Sequence, residues 1–169
     1  DWEIDNIRTS WSWAVDNHRL NEIANTLTPL YHFYDIQCRY QEGKTLFSQA
    51  LDRLQSYSGG IEAPAKRQQI DTLMHRLTTR IAAFLMQLSD YEQSYTQLRK
   101  NLASTDTKAE TVFILRLLGD SYFIRSKYST AAEAKAYLNK ALSLSKEQEN
   151  RDMEADALSR LALFEASIS

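Results

Sequence analysis

Three histidines, His18, His32 and His75, and a single cysteine, Cys38, are the side chains with which this chain could most readily do chemistry. Their spacing does not support it. The histidines lie far apart, and none belongs to an HExxH or HxxxH pair, so no two imidazoles share one helical face as a zinc site would need. One thiol can make neither a thiolate metal site nor an internal disulfide. His75 is followed by Arg76, a pairing that suits a solvated surface or a helix end better than a metal. No Gly-x-Ser-x-Gly elbow presents a nucleophile, and no Gly-Lys-Ser/Thr loop is built to cradle phosphate. No catalysis, no cofactor and no bound metal are expected. What is left is non-covalent recognition.

The charge balance narrows what could be recognised. The 169 residues carry 20 basic and 22 acidic side chains, for a formal charge of -2 and a pI near 5.9. A nucleic-acid binder shows a basic stripe and a high pI, so no direct contact with nucleic acid is expected. No apolar run approaches the roughly 18 residues of a membrane span. The N-terminal "DWEIDNIRTSW" has neither the basic start nor the apolar middle of a signal peptide. Cysteine usage and these absences together point to a reducing cytoplasm. The first residue is not Met, and both ends fall within helix-like sequence, so the chain reads as a piece of a larger protein.

Only 4 glycines and 2 prolines occur, too few for the turns of an all-β fold. Leu, Ala, Gln, Glu, Lys and Arg fill most segments and favour helix. Apolar residues recur every three or four positions, and this period predicts eight helices. They cover about 3–16, 20–37, 40–56, 64–88, 91–103, 109–125, 130–146 and 152 to the end. Trp11 falls on the apolar face of the first helix with Ile4, Ile7, Ala14 and Val15, whereas Trp13 lies only partly on it. Gly59 and Gly60 mark the clearest break. Pro64 suits a first helical turn. Pro29 falls inside the second helix, where it removes one backbone bond, and a kink is expected there.

One pattern returns along the chain. Gly43, Phe47 and Ala50 have the spacing small, large, small at intervals of four and three. Ser94, Leu98 and Asn101 repeat it with Asn for the last small residue, and Ala134, Leu138 and Ala141 repeat it in full. Ahead of these come helices with large residues at intervals of three and four: Leu27, Leu30 and Tyr34, then Ile81 and Leu85, then Leu115, Leu118 and Tyr122. The stretch "LLGDSYF" adds a small residue, Gly119, between large ones. A half unit follows with Leu158, Leu161 and Ala162. Small residues suit close helix crossings, large ones fill the gaps, and a single hairpin cannot bury its own apolar face, so such units must stack.

From about Leu20 onward the chain resembles tetratricopeptide-repeat proteins, whose unit is a 34-residue pair of antiparallel helices. Units would begin at Ala24, His75, Val112 and Ala155, at 51, 37 and 43 residues apart. The long helix after Pro64 and the turn around "STAAEA" absorb the difference. The resemblance implies an all-α fold, a right-handed superhelix of antiparallel helix pairs. Residues 1–169 would then form one helical domain with a leading helix at 1–19 and repeats at 20–57, 63–104 and 109–147. A half repeat at 151–169 would complete it. Cys38 would be a small buried residue at the turn between paired helices.

A narrower resemblance covers about the first 55 residues. Asp5, Asn6, Ile7 and Arg8, then Tyr31, Phe33 and Tyr34, then Glu42 and Gly43, are similar to the start of the helical arm in bacterial STAND-class signalling ATPases and transcriptional regulators. That resemblance implies an arm that senses inducers or partner proteins and holds an ATPase off or on. An independent adaptor that binds a peptide or protein tail is the alternative, and the two would differ in whether a nucleotide-binding domain is encoded upstream.

In the repeat family, positions 2, 5, 9 and 12 of the first helix of each unit line a concave groove. Carried over, this implies Asn25, His32 and Asp35 in the first unit, Arg76 and Met86 in the second, and Arg116, Asp120 and Phe123 in the third. Arg76 would stand at position 2 and Arg116 at position 5 of successive first helices. Guanidinium groups there could hold a carboxylate bidentately, with Asp35 and Asp120 flanking them. The expected partner is a peptide or protein carrying an acidic group, or another domain of the same polypeptide.

Overall fold

The computed structural model describes residues 2–105, 107–124 and 130–168, and side chains for all of these except 2, 122–124 and 168. Among the described residues there are eight helices and no strand: α1 (Trp2–Asp16), α2 (Leu20–Ile36), α3 (Tyr40–Ser58), α4 (Pro64–Gln87), α5 (Tyr91–Ser104), α6 (Lys108–Ile124), α7 (Ala131–Glu147) and α8 (Arg151–Ile168). The periodicity placed each of them to within about two residues. Pro64 opens α4, where its missing N–H costs nothing. Thr130 and Glu133 form a reciprocal capping box at the start of α7, satisfying two donors that a helix end leaves open. At α5 the Asp90 carboxylate accepts from the backbone N–H of Gln93. Helix α2 runs continuously across Pro29.

Four of the connections share one device. His18, Cys38, Ser89 and Glu149 adopt φ of 52°, 54°, 66° and 53°, the left-handed conformation that ends a helix and reverses the chain. After α1, α2 and α7 the next residue closes a six-residue ring back to the helix: the N–H of Arg19 donates to Ala14, Arg39 to Tyr34 and Asn150 to Ser145. None of the four is glycine, so each turn carries a Cβ where only glycine sits without strain. The expectation that Cys38 is buried is therefore corrected. A residue at the apex of such a turn projects outward, and Cys38 is exposed.

The chain divides between Leu88 and Ser89 into two compact units, α1–α4 and α5–α8. The division falls inside the stretch 63–104 grouped above as the second repeat. In the first unit the core is aromatic. Trp11 on α1 lies 5.5 Å from Phe47 on α3, Phe47 lies 5.8 Å from Phe84 on α4, and Tyr31 on α2 lies 5.2 Å from Phe84. Gly43 lets α3 approach this cluster: a Cβ there would stand 2.6 Å from the Phe84 ring and 3.0 Å from Cβ of Tyr34. Ile4, Trp11, Ala14 and Val15 are buried as their period requires, but Ile7 is 44% exposed and Trp13 56%. The apolar face of α1 is thus narrower than its sequence implies, and the guanidinium of Arg19 covers the Trp13 ring instead.

The second unit is built from smaller side chains. Val112, Leu115, Ala141 and Ala157 form one buried cluster, and Ala134, Leu138 and Phe164 another. Here Gly119 of α6 is the point of close approach, where a Cβ would stand 2.6 Å from Leu138 of α7. No helix among the described residues is long and apolar enough to cross a membrane.

Candidate functional site

Two faces, one in each unit, carry the residues singled out for recognition. In the first unit, α2 and α4 lie side by side. Gln69 donates to the side-chain oxygen of Asn21 at 2.7 Å, and Arg76 donates to Thr28 Oγ1 at 3.2 Å. Thr28 stands one helical turn from both Asn25 and His32, so Arg76, Asn25 and His32 share this face. Asn25 and His32 are exposed, and Asp35 is half-buried one turn beyond His32. Met86, in the last turn of α4, is buried. The α4 segment from Thr79 to Met86 is buried without a break, and an amphipathic period cannot show that a helix is enclosed on every side.

In the second unit, α6 and α8 lie side by side and the contact is made of charge. Arg116 on α6 donates to Asp156 on α8 at 3.3 Å. Asp120, one turn further along α6, pairs with Arg160 on α8 at 3.1 Å. Arg160 also reaches Asp156 at 3.8 Å. The four side chains form a ladder of alternating sign across the two helices. Phe113, one turn before Arg116, places its ring 4.8 Å beneath the guanidinium. Phe123 has its side chain outside the described residues.

The α6 side of the ladder is largely withdrawn from water. The side chains of Asp120 and Arg116 are 14% and 19% exposed, against 41% for Asp156 and 36% for Arg160. Burial pushes the Asp120 carboxyl up to about 6, and the nearby guanidinium groups of Arg160 and Arg116 recover only part of that cost. Two buried polar atoms, Nε of Arg116 and Oδ1 of Asp120, have no hydrogen-bond partner among the described residues. Buried polar groups in folded proteins are nearly all paired.

Asp156 and Arg160 were not read from the sequence. The signal was available: they stand 40 residues after Arg116 and Asp120 and have the opposite charges in the same order. The carried-over groove positions stop short of α8 because the half unit was matched only on its apolar residues.

The residues that opened the narrower resemblance also come together. Arg8 of α1 donates through Nε to the hydroxyl of Tyr34 at 2.9 Å and pairs with both Glu42 and Asp5. Glu42 in turn accepts two hydrogen bonds from Arg39, each 2.7 Å. Tyr34 is fully buried. This knot ties α1, α2 and α3 to one another.

No protein-family model, curated protein or solved structure matches this chain. Among the described residues no group of His, Cys, Asp and Glu side chains is placed to hold a metal ion.

Proposed function

We propose that this chain is a non-catalytic interaction module that takes a peptide or protein segment across the α6/α8 face. The observation that carries the reading is the ladder of Arg116, Asp120, Asp156 and Arg160, in which Asp156 and Arg160 stay 41% and 36% exposed beside the more withdrawn Arg116 and Asp120. An acidic group on the partner would compete with the half-exposed Asp156 for Arg116. An ion pair that is partly open to water costs little to exchange.

The helix pairs are read as stacked tetratricopeptide-like units, a right-handed superhelix. An internal register supports this. In the first unit Thr28, at position 5, meets Arg76, at position 2 of the next first helix. In the second unit Arg116, at position 5, meets Asp156, at position 2 of the one after. The module serves as the sensor or regulatory arm of a larger cytoplasmic signalling protein of the STAND ATPase kind. A free-standing adaptor is the alternative, and a nucleotide-binding domain encoded upstream would decide between the two.

The test begins by selecting binders from a displayed random peptide library on the purified chain. Affinities are then measured calorimetrically for the parent and for Arg116→Ala/Arg160→Ala. Loss of a charge-assisted pair costs about 1.5–3 kcal/mol, so affinity is expected to fall about 10- to 150-fold and to weaken with salt. Equal affinity in a folded double variant would remove the α6/α8 face from consideration.

A further inference from the structure

Helix α8 repeats the seat that α6 offers to α7, but leaves it open. On α6 the seat consists of Leu115, Leu118 and Gly119. Leu115 packs with Ala141 of α7 in one buried cluster, and Gly119 admits Leu138 of α7 so closely that a Cβ would meet it at 2.6 Å. Leu115 and Leu118 are 1% and 0% exposed. The corresponding residues of α8, each 43 positions later, are Leu158, Leu161 and Ala162. Leu158 is 47% exposed, Ala162 is exposed, and Leu161 is half-buried because its inner side joins the Ala134, Leu138 and Phe164 cluster. Ala155, Ser159 and Ala166 are exposed on the same side, so the open stripe runs the length of α8 and is continuous, through Leu161, with the packed α7/α8 interface.

What fills such a seat is shown within the chain. The helix on α6 presents Ala134, Leu138 and Ala141, all fully buried. In the first unit, α3 presents the same order, Gly43, Phe47 and Ala50, and buries all three. Both are amphipathic helices with a small, a large and a small residue at intervals of four and three. Small residues let the helices approach, and the large one enters the gap.

We propose that the exposed face of α8 docks an amphipathic helix of a partner segment carrying this small–large–small order, in the manner in which α7 covers α6. The partner is defined by that pattern and by a polar outer face. The surface is separate from the α6/α8 ladder, so the two proposals stand or fall independently.

The test uses the full 169-residue chain and a fluorescent peptide with the sequence of residues 130–147, the segment that fills the α6 seat. The peptide is expected to bind saturably and to gain helicity on binding. Leu158→Lys, a change at a half-exposed position, should weaken binding at least 10-fold while leaving the thermal melt of the chain in place. Ala162→Gly makes the seat match that of α6 at Gly119 and should tighten binding several-fold. A peptide with Ala134, Leu138 and Ala141 all replaced by Gln should not bind. The idea fails if the parent peptide shows no binding at millimolar concentration. It also fails if Leu158→Lys binds like the parent, since the peptide would then be exchanging with α7 at the α6 seat. Dimerisation of the chain that Leu158→Lys abolishes, seen by sedimentation without peptide, would overturn the proposal in favour of a second copy as occupant.

Discussion

The two units solve one packing problem with different materials. Each places two helices side by side and joins them through facing polar side chains. In α2/α4 that contact is a hydroxyl and an arginine; in α6/α8 it is an arginine and an aspartate, with a second pair of opposite order one turn on. Each unit brings a helix in close at a glycine, but Gly43 faces the rigid Phe84 ring whereas Gly119 faces the end of a leucine. Both units thus close a helix crossing at a glycine, while the hardness of the core and the polarity of the face differ.

The largest expected effect tests the aromatic core. Phe84 is fully buried and touches the rings of Tyr31, Tyr40 and Phe47. Phe84→Ala should destabilise the chain by about 3–5 kcal/mol, read from the urea midpoint. Leu138→Ala, its counterpart against Gly119, should cost about 2–5 kcal/mol. A larger loss for Leu138→Ala than for Phe84→Ala would reverse the contrast drawn between the units.

Adding a methyl group at each glycine separates the two cores further. Gly43→Ala forces a ring and a backbone-linked Cβ apart and is expected to cost about 1–3 kcal/mol, even after the gain in helix propensity of about 1 kcal/mol. Gly119→Ala meets a rotatable leucine and should cost less. Phe84→Leu should relieve Gly43→Ala, so the double variant would be more stable than the sum of the singles.

The charged face makes its own prediction. Asp120 sits at about 6 in the fold and at about 3.9 in an unfolded chain, so between these values the folded state holds more proton. Its contribution to stability is fully present below about 4 and is lost as pH rises through about 6. The span corresponds to on the order of 2–3 kcal/mol. Glu22, held low by Arg19, Glu42, held low by Arg39, and Glu133, held low by the Thr130 backbone, act in the opposite sense, but only below their ordinary range. Between pH 7 and 5 the parent should therefore gain stability, and Asp120→Asn should flatten that gain. An unchanged slope in Asp120→Asn would show that the α6/α8 face is wetter than described.

The smallest effect lies at the turns. Cys38 holds φ of 54° with a side chain that is exposed. Cys38→Gly should stabilise the chain by about 0.5–1 kcal/mol by removing the left-handed penalty, and Glu149→Gly should do the same in the other unit. Both are measurable as a rise in Tm.

The helices and their ends were legible because apolar period and Pro64 are local signals that agree with the final packing. The close crossings were legible for the same reason: Gly43 and Gly119 stand where a small residue is needed. The ladder was legible by half. Arg116 and Asp120 could be placed on a face, but their partners depend on the offset between α6 and α8, and offset is set by packing that no local signal encodes. Ile7 misled because it keeps the period of α1 yet stays 44% exposed, beyond the part of that face which Ile4, Trp11, Ala14 and Val15 bury. Cys38 misled because a small apolar side chain reads as core when its backbone angle is unknown.

The arrangement of contacts has a kinetic consequence. Within each unit every helix packs only on those one or two places along the chain: α1 with α2 and α3, α2 with α3 and α4, α3 with α4, and likewise α6 with α5, α7 and α8. Loops that must close before a contact can reward them are therefore short, and chains dominated by such local contacts fold in microseconds to milliseconds. Nucleation can begin at any hairpin whose turn is already left-handed, and growth proceeds from neighbour to neighbour. Synthesis from the N-terminus would then complete α1–α4 before α5 emerges, so the aromatic core never waits for the residues behind it.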